Sequence, residues 1–170
     1  MPKIMIVDDD ATIQMELEEY LTHMDYTVVG IADTGAGAVE IAREMKPDLI
    51  LMDINLPGEM DGISAALKIK EEMDVAVVFI TGFGDPEYIE RAKRVEPFGY
   101  VMKPFDEAEV RAFVEAANRK VERLHKEWEG IFQAIGNPTV LLDAQRRVIH
   151  ANATTLKRVV RGRDHRHEMP

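Results

Sequence analysis

Cysteine is absent from the 170 residues, which excludes a disulfide framework, a thiolate zinc site and a thiol nucleophile. No stretch approaches the roughly 18 consecutive apolar residues that a membrane-spanning helix needs. The opening residues do not read as a secretory signal, because Lys3-Ile4-Met5-Ile6-Val7 runs straight into Asp8-Asp9-Asp10. The chain therefore reads as cytoplasmic. Positive charge is scarce, with 21 Lys and Arg against 31 Asp and Glu, for a formal net charge of −10. The deficit is uneven: residues 137–170 hold seven Lys/Arg against three Asp/Glu and carry +4, leaving −14 for residues 1–136. Such a body repels nucleic acid and attracts a cation or a basic partner surface. The basic tail reads as solvated surface or an incomplete fold rather than a phosphate-binding patch. The length suits one well-packed domain plus an appendage.

From residue 3 to about 105 two patterns alternate. Short apolar runs at Lys3–Val7, Tyr26–Ile31, Asp48–Met52, Val75–Ile80 and Gly99–Val101 predict strands. Between them lie helical periodicities such as Ile13, Leu17, Tyr20, Leu21 and Met24. Lys46-Pro47 should end the second helix, since a residue before proline is pushed out of helical geometry. Asp85-Pro86 reads as a cap and first turn. Asp106 with Glu109 resembles a capping box opening the last helix. Asp10 reads as a helix N-cap, and Gly35-Ala36-Gly37 as a helix entry, lacking the third glycine and lysine of a nucleotide loop. Five strand–helix alternations predict an α/β fold, a parallel sheet with helices on both faces. Leu49-Ile50-Leu51-Met52 and Val75–Ile80 are apolar at nearly every position, as strands covered on both faces should be.

In such sheets ligands bind beyond the carboxyl ends of the central strands. The predicted strands are followed there by Asp8-Asp9-Asp10, by Asp53, by Thr81-Gly82 and by Lys103-Pro104. Any one of these is an ordinary cap or turn. Four strand ends together deliver carboxylates, a hydroxyl and an ammonium to one edge. Clustered carboxylates either bind a cation or shift their protonation. Oxygen ligands without His or Cys favour Mg²⁺ or Mn²⁺. A carboxylate can also attack phosphorus to form an acyl phosphate, with Lys103 and Thr81 contacting the phosphoryl oxygens.

These pieces, with Leu-Met-Asp53-Ile-Asn55-Leu-Pro57-Gly58 and Tyr100-Val-Met-Lys103-Pro104-Phe105, make residues 1–122 resemble a receiver domain of two-component signalling. The resemblance implies a doubly wound, flavodoxin-like sheet of five strands in the order 2-1-3-4-5. It also implies Asp53 as phosphoacceptor and Asp9 as direct Mg²⁺ ligand. Asp8 would act through water, and the Asn55 carbonyl would be a third ligand. By the same resemblance Thr81 and Lys103 bind the phosphoryl group, Tyr100 changes rotamer with Thr81, and the Lys103-Pro104 peptide is cis, aiming the ammonium inward. A histidine kinase or phosphotransfer protein is the implied partner. The chain would not be an enzyme beyond its own phosphorylation and slow dephosphorylation. Gly82 stands where alanine is also common, which would leave room beside the phosphate and quicken hydrolysis. The Gly58-Glu59-Met60-Asp61-Gly62 loop matches a subgroup found in multidomain sensor proteins.

From Val110 apolar residues recur at Val114, Ala117, Val121, Leu124, Trp128, Ile131 and Ile135, an a/d heptad pattern over more than three heptads. A receiver's last helix covers its own sheet only to about residue 120. The rest, an extended helix over 106–135, either folds back or forms a homodimeric parallel coiled coil, the reading we prefer. Gly136-Asn137-Pro138 should break the helix. Thr139–Asp143 and Arg147–Asn152 predict a hairpin turning at Ala144–Arg146. Residues 127–160 resemble the opening of a PAS sensor domain. A whole PAS fold needs about 100 residues, so 137–170 is expected to be an incomplete α+β segment with a frayed Arg161–Pro170 end. His125 reads as a surface histidine, lacking a phosphodonor context, and His165/His167 is too small a set for a metal site. A helix and hairpin are not a helix-turn-helix, so direct DNA binding is not expected.

Two rivals remain. A haloacid-dehalogenase-like phosphatase shares the Asp, Thr, Lys and Mg²⁺, but its nucleophile follows the first strand in an Asp-x-Asp arrangement and it has a cap domain. A receiver-like interaction module without phosphorylation is the other. Failure to bind a phosphoryl mimic would distinguish it.

Overall fold

The computed structural model describes residues 2–82, 86–134, 140–142 and 148–153. Strands β1 (Lys3–Val7), β2 (Thr27–Ala32), β3 (Leu49–Asp53), β4 (Ala76–Thr81) and β5 (Gly99–Met102) alternate with helices. These helices are α1 (Ala11–His23), α2 (Gly35–Met45), α3 (Gly62–Glu72), α4 (Pro86–Lys93) and α5 (Glu107–Ala134). The strands form one parallel sheet in the order β2-β1-β3-β4-β5. That is the flavodoxin-like fold expected. β2 to β5 run one residue further toward their carboxyl ends than the apolar runs suggest. Asp53 is paired with Ile80 and Thr81 with Met102 in register, so both polar residues are still part of the ladder.

Strand alternation divides the core in two. Met5, Val7, Ile50, Met52, Val77 and Phe79 face one side, where α2 supplies Ala38, Val39 and Ala42 and α3 supplies Ile63, Ala66 and Ile69. Ile4, Ile6, Leu49, Leu51, Val78 and Ile80 face the other, against Leu17 and Leu21 of α1 and Val110, Val114 and Ala117 of α5. Period-two strands buried on both faces meet period-3.6 helices on each side.

The helix boundaries have local causes. Asp10 accepts from the Thr12 amide to cap α1. Thr34 accepts from Gly37 at the start of α2, and Lys46, in the left-handed region at φ 47°, ends it before Pro47. Asp106 accepts from the Glu109 amide ahead of α5, the half of the capping box that satisfies a helix-end donor.

The chain divides into two compact units, Met1–Val121 and Glu122–Pro170. In the second, β6 (Val140–Leu142) and β7 (Val148–Ala151) form an antiparallel pair. Trp128 stacks on Phe132 with centroids 5.1 Å apart, and the Ala153 amide donates to Gln133 Oε1. The Asp85 cap, the break at Gly136-Asn137-Pro138, Ile135, the Ala144–Arg146 turn, the His165/His167 pair and the Arg161–Pro170 end lie outside the described residues. So does the side chain of His125.

Candidate functional site

The strand order places the carboxyl ends of β1, β3, β4 and β5 side by side, at the point where the connections leaving β1 and β3 go to opposite faces of the sheet. Asp8 follows β1 and extends its ladder by donating from its amide to the Ala32 carbonyl. Asp53 ends β3 and Thr81 ends β4. Lys103 follows β5, its amide donating to the Thr81 carbonyl at 2.7 Å, and the Lys103-Pro104 peptide is cis.

The Lys103 ammonium donates to Asp8 Oδ2 at 2.6 Å and to Asp53 Oδ2 at 2.7 Å. The second oxygen of each carboxylate accepts a backbone amide, Asp10 on Asp8 at 2.9 Å and Asn55 on Asp53 at 3.0 Å. Both side chains are buried, whereas Asp9 and Asn55 are exposed. Carboxylate oxygens of Asp8, Asp9 and Asp53 lie within 4.8 Å of one another.

One ammonium is set against three carboxylates. Burial, helped by the Asp53 charge, pushes the Asp8 carboxyl above its ordinary value against the pull of Lys103 and the Asp10 amide. Burial also works to lower Lys103, but its hydrogen bonds to Asp53 and Asp8 outweigh that and raise it. The ammonium is therefore held charged, and Asp8 still lacks compensation. A divalent cation would supply it. The donors are all oxygen, and Asp9 among them is exposed, which suits a hard ion that keeps several waters. The site residues fit Mg²⁺.

Thr81 is buried beside the cluster, and its hydroxyl donates to the Gly82 carbonyl at 3.1 Å. Tyr100 stacks on Phe79 with centroids 5.9 Å apart. Its buried hydroxyl has no hydrogen-bond partner among the described residues.

Two supports were not visible in the sequence. Gly62 opens α3 directly against the phosphoacceptor candidate: a Cβ there would lie 1.8 Å from the Asp53 carbonyl oxygen, so only glycine lets the loop return so closely. Gln14 donates to the Asp8 carbonyl at 2.5 Å. The available signal was a polar residue three and seven positions before Leu17 and Leu21, on a core-facing stripe.

Residues 4–115 match the family described as Response regulator receiver domain. The transcriptional regulatory protein PdtaR of Mycobacterium tuberculosis is 36% identical over 115 residues, 68% of this chain and 56% of that protein. The chain thus spans about half the length of that relative. The chemotaxis protein CheY of Thermotoga maritima is 35% identical over 118 residues, 69% of this chain and 95% of CheY. A solved structure, the N-terminal domain of a response regulator/sensory box/GGDEF three-domain protein from Carboxydothermus hydrogenoformans, superposes with a TM-score of 0.65 at 40% identity. That match covers 71% of this chain and 97% of the other. Fold, strand-end chemistry and these matches agree: the chain belongs to the response regulator receiver domain family of two-component signalling.

Proposed function

We propose that this chain relays a signal by Mg²⁺-dependent phosphorylation of Asp53, accepting the phosphoryl group from a histidine kinase or phosphotransfer protein. The observation that carries the reading is the buried Asp53 carboxylate, held between Lys103 and the Asn55 amide with Asp8 and Asp9 alongside. An Asp53 oxygen attacks phosphorus in line, and the bond from phosphorus to the donor's imidazole nitrogen breaks. The phosphoryl group ends as an acyl phosphate and the imidazole leaves. Lys103 stabilises the charge on the transferring oxygens, and Thr81 turns its hydroxyl from Gly82 to one of them. Asp9, Asp53 and the Asn55 carbonyl would hold the ion, with Asp8 acting through water. Bound there, Mg²⁺ would supply positive charge that offsets the carboxylates and the transferring phosphoryl group. Tyr100 follows Thr81, and the surface of α4 and β5 changes its partner preference. Catalysis extends no further than this self-directed chemistry.

We read residues 1–122 as the receiver, 106–135 as an extended linker helix, and 137–170 as the beginning of a PAS-like sensor module. The hairpin β6–β7 supports that assignment, as does a matched receiver from a protein described as containing a sensory box. We read the linker helix as a homodimer seam, because Leu124 and Trp128 are 47% and 41% exposed where the heptad pattern continues past Ala117.

Intact-mass spectrometry after incubation with acetyl phosphate and Mg²⁺ tests the switch. One phosphoryl adduct is expected, absent in Asp53→Asn and with EDTA. No adduct and no beryllofluoride binding in the wild type would refute phosphorylation and leave an interaction module.

A further inference from the structure

Gln14 breaks the pattern of the helix that carries it. α1 buries Leu17 and Leu21 against the sheet, and Gln14 precedes them by three and seven residues, on the same stripe. An apolar residue would be the ordinary choice there. Instead its side-chain nitrogen donates to the Asp8 carbonyl at 2.5 Å. The group facing that carbonyl is fixed chemically: a carbonyl only accepts, so the amide presents its NH₂ and not its oxygen.

We propose that Gln14 is a positioning residue for the divalent-cation site, acting through the Asp8–Asp9 peptide. The inference rests on Asp9 being a cation ligand. Asp53 needs no such help, because it is the last paired residue of its strand. Asp8 is anchored by its amide on Ala32, by the Asp10 amide on Oδ1 and by Lys103 on Oδ2. Asp9 lies two residues beyond the end of β1, with an exposed side chain, so its carboxylate takes its direction from its own backbone. The peptide joining the two aspartates is planar, and the Asp8 carbonyl and the Asp9 nitrogen and Cα move as one rigid body. Pinning the Asp8 oxygen therefore sets the plane from which Asp9 departs. Gln14 supplies from a helix the contact that the sheet ladder no longer gives at this point, and so keeps the Asp9 oxygens turned toward Asp8 and Asp53 before the ion arrives.

The test is calorimetric titration of Mg²⁺ into the whole chain, wild type against Gln14→Met, with thermal unfolding of both in EDTA. Methionine keeps the length of the side chain and removes the donor. Gln14→Met should weaken Mg²⁺ binding about three- to tenfold, the weight of one hydrogen bond. The midpoint in EDTA should scarcely move, because the position is only half-buried and water can take the donor's place. A lowered EDTA midpoint with Mg²⁺ affinity within about twofold of wild type would make Gln14 a structural residue only and overturn the proposal. Gln14→Leu is read in the same way should the methionine variant not fold. Wild type that binds no Mg²⁺, or that binds equally well as Asp9→Asn, overturns the reading of the site and this inference with it. Wild type that binds through Asp9, with Gln14→Met unchanged, overturns this inference alone.

Discussion

Asp8 is the residue on which the charge balance turns. Its folded carboxyl lies above its ordinary value, first because it is buried and further because Asp53 is close. Between the ordinary value of 3.8 and the raised one, the native state keeps a proton that the unfolded chain has lost. Stability from this group therefore falls as pH rises through that window. A cation binds the ionised form, so protons and Mg²⁺ compete for Asp8. Titrations stepped downward from neutral pH should show affinity dropping as Asp8 protonates, and Asp8→Asn should bind more weakly with a flatter pH dependence. An Asp8→Asn variant with an unchanged pH dependence would move the effect to another carboxylate.

Among the elements, α4 is tied to α3 by discrete polar contacts. It is short, Pro86–Lys93, and contributes Ala92 to the core, followed by Val95. Polar ties to α3 supplement that apolar contact. Arg91 pairs with Asp61, the N-cap of α3, at 2.6 Å. At the other end Lys70 donates to the carbonyls of Val95 and Glu96, at 2.7 and 3.1 Å. A helix tied by such discrete polar contacts can move as a unit by exchanging them. The Arg91–Asp61 coupling should be about 0.5–1 kcal/mol, modest because both side chains are partly exposed. A denaturant double-mutant cycle with Arg91→Ala and Asp61→Asn measures it, asparagine retaining the cap on Ser64. Burial works to raise the Asp61 carboxyl, but the Ser64 amide and Arg91 hold it below its ordinary value. Its stabilisation is thus present above pH 3.8 and lost as pH falls through the lower folded value, a window that Arg91→Ala should narrow. Purely additive single mutants would show that the contact couples nothing.

For the whole molecule, the long helix sets the oligomeric question. Val110, Val114 and Ala117 are buried in the core of the first unit, while the same heptad positions at Leu124 and Trp128 present apolar surface to solvent. Sedimentation velocity should find the full chain dimeric, and Leu124→Glu should shift it to monomer without altering thermal unfolding of the receiver. Wild type that sediments as a monomer across the accessible concentration range would rule out the seam.

The order of strands and helices was determined by sequence alone, because apolar periodicity, helix caps and proline boundaries are local properties of the chain. The residues that gather at the strand ends were legible for the same reason: Asp8, Asp9, Asp53, Thr81 and Lys103 each stand at the end of an apolar run. Strand order came with the family resemblance rather than with the periodicity. Tertiary structure alone decided which atoms meet. Lys103 reaches Asp8 across 95 residues and Asp53 across 50, a geometry fixed by sheet register and not by any propensity. The same holds for Gln14 beneath the Asp8 carbonyl, Gly62 against Asp53, and Arg91 on Asp61. In one dimension Gln14 is only a polar residue on a core-facing stripe, and Gly62 and Arg91 are ordinary turn and surface residues; their partners are set only when packing brings a distant backbone or charge within reach.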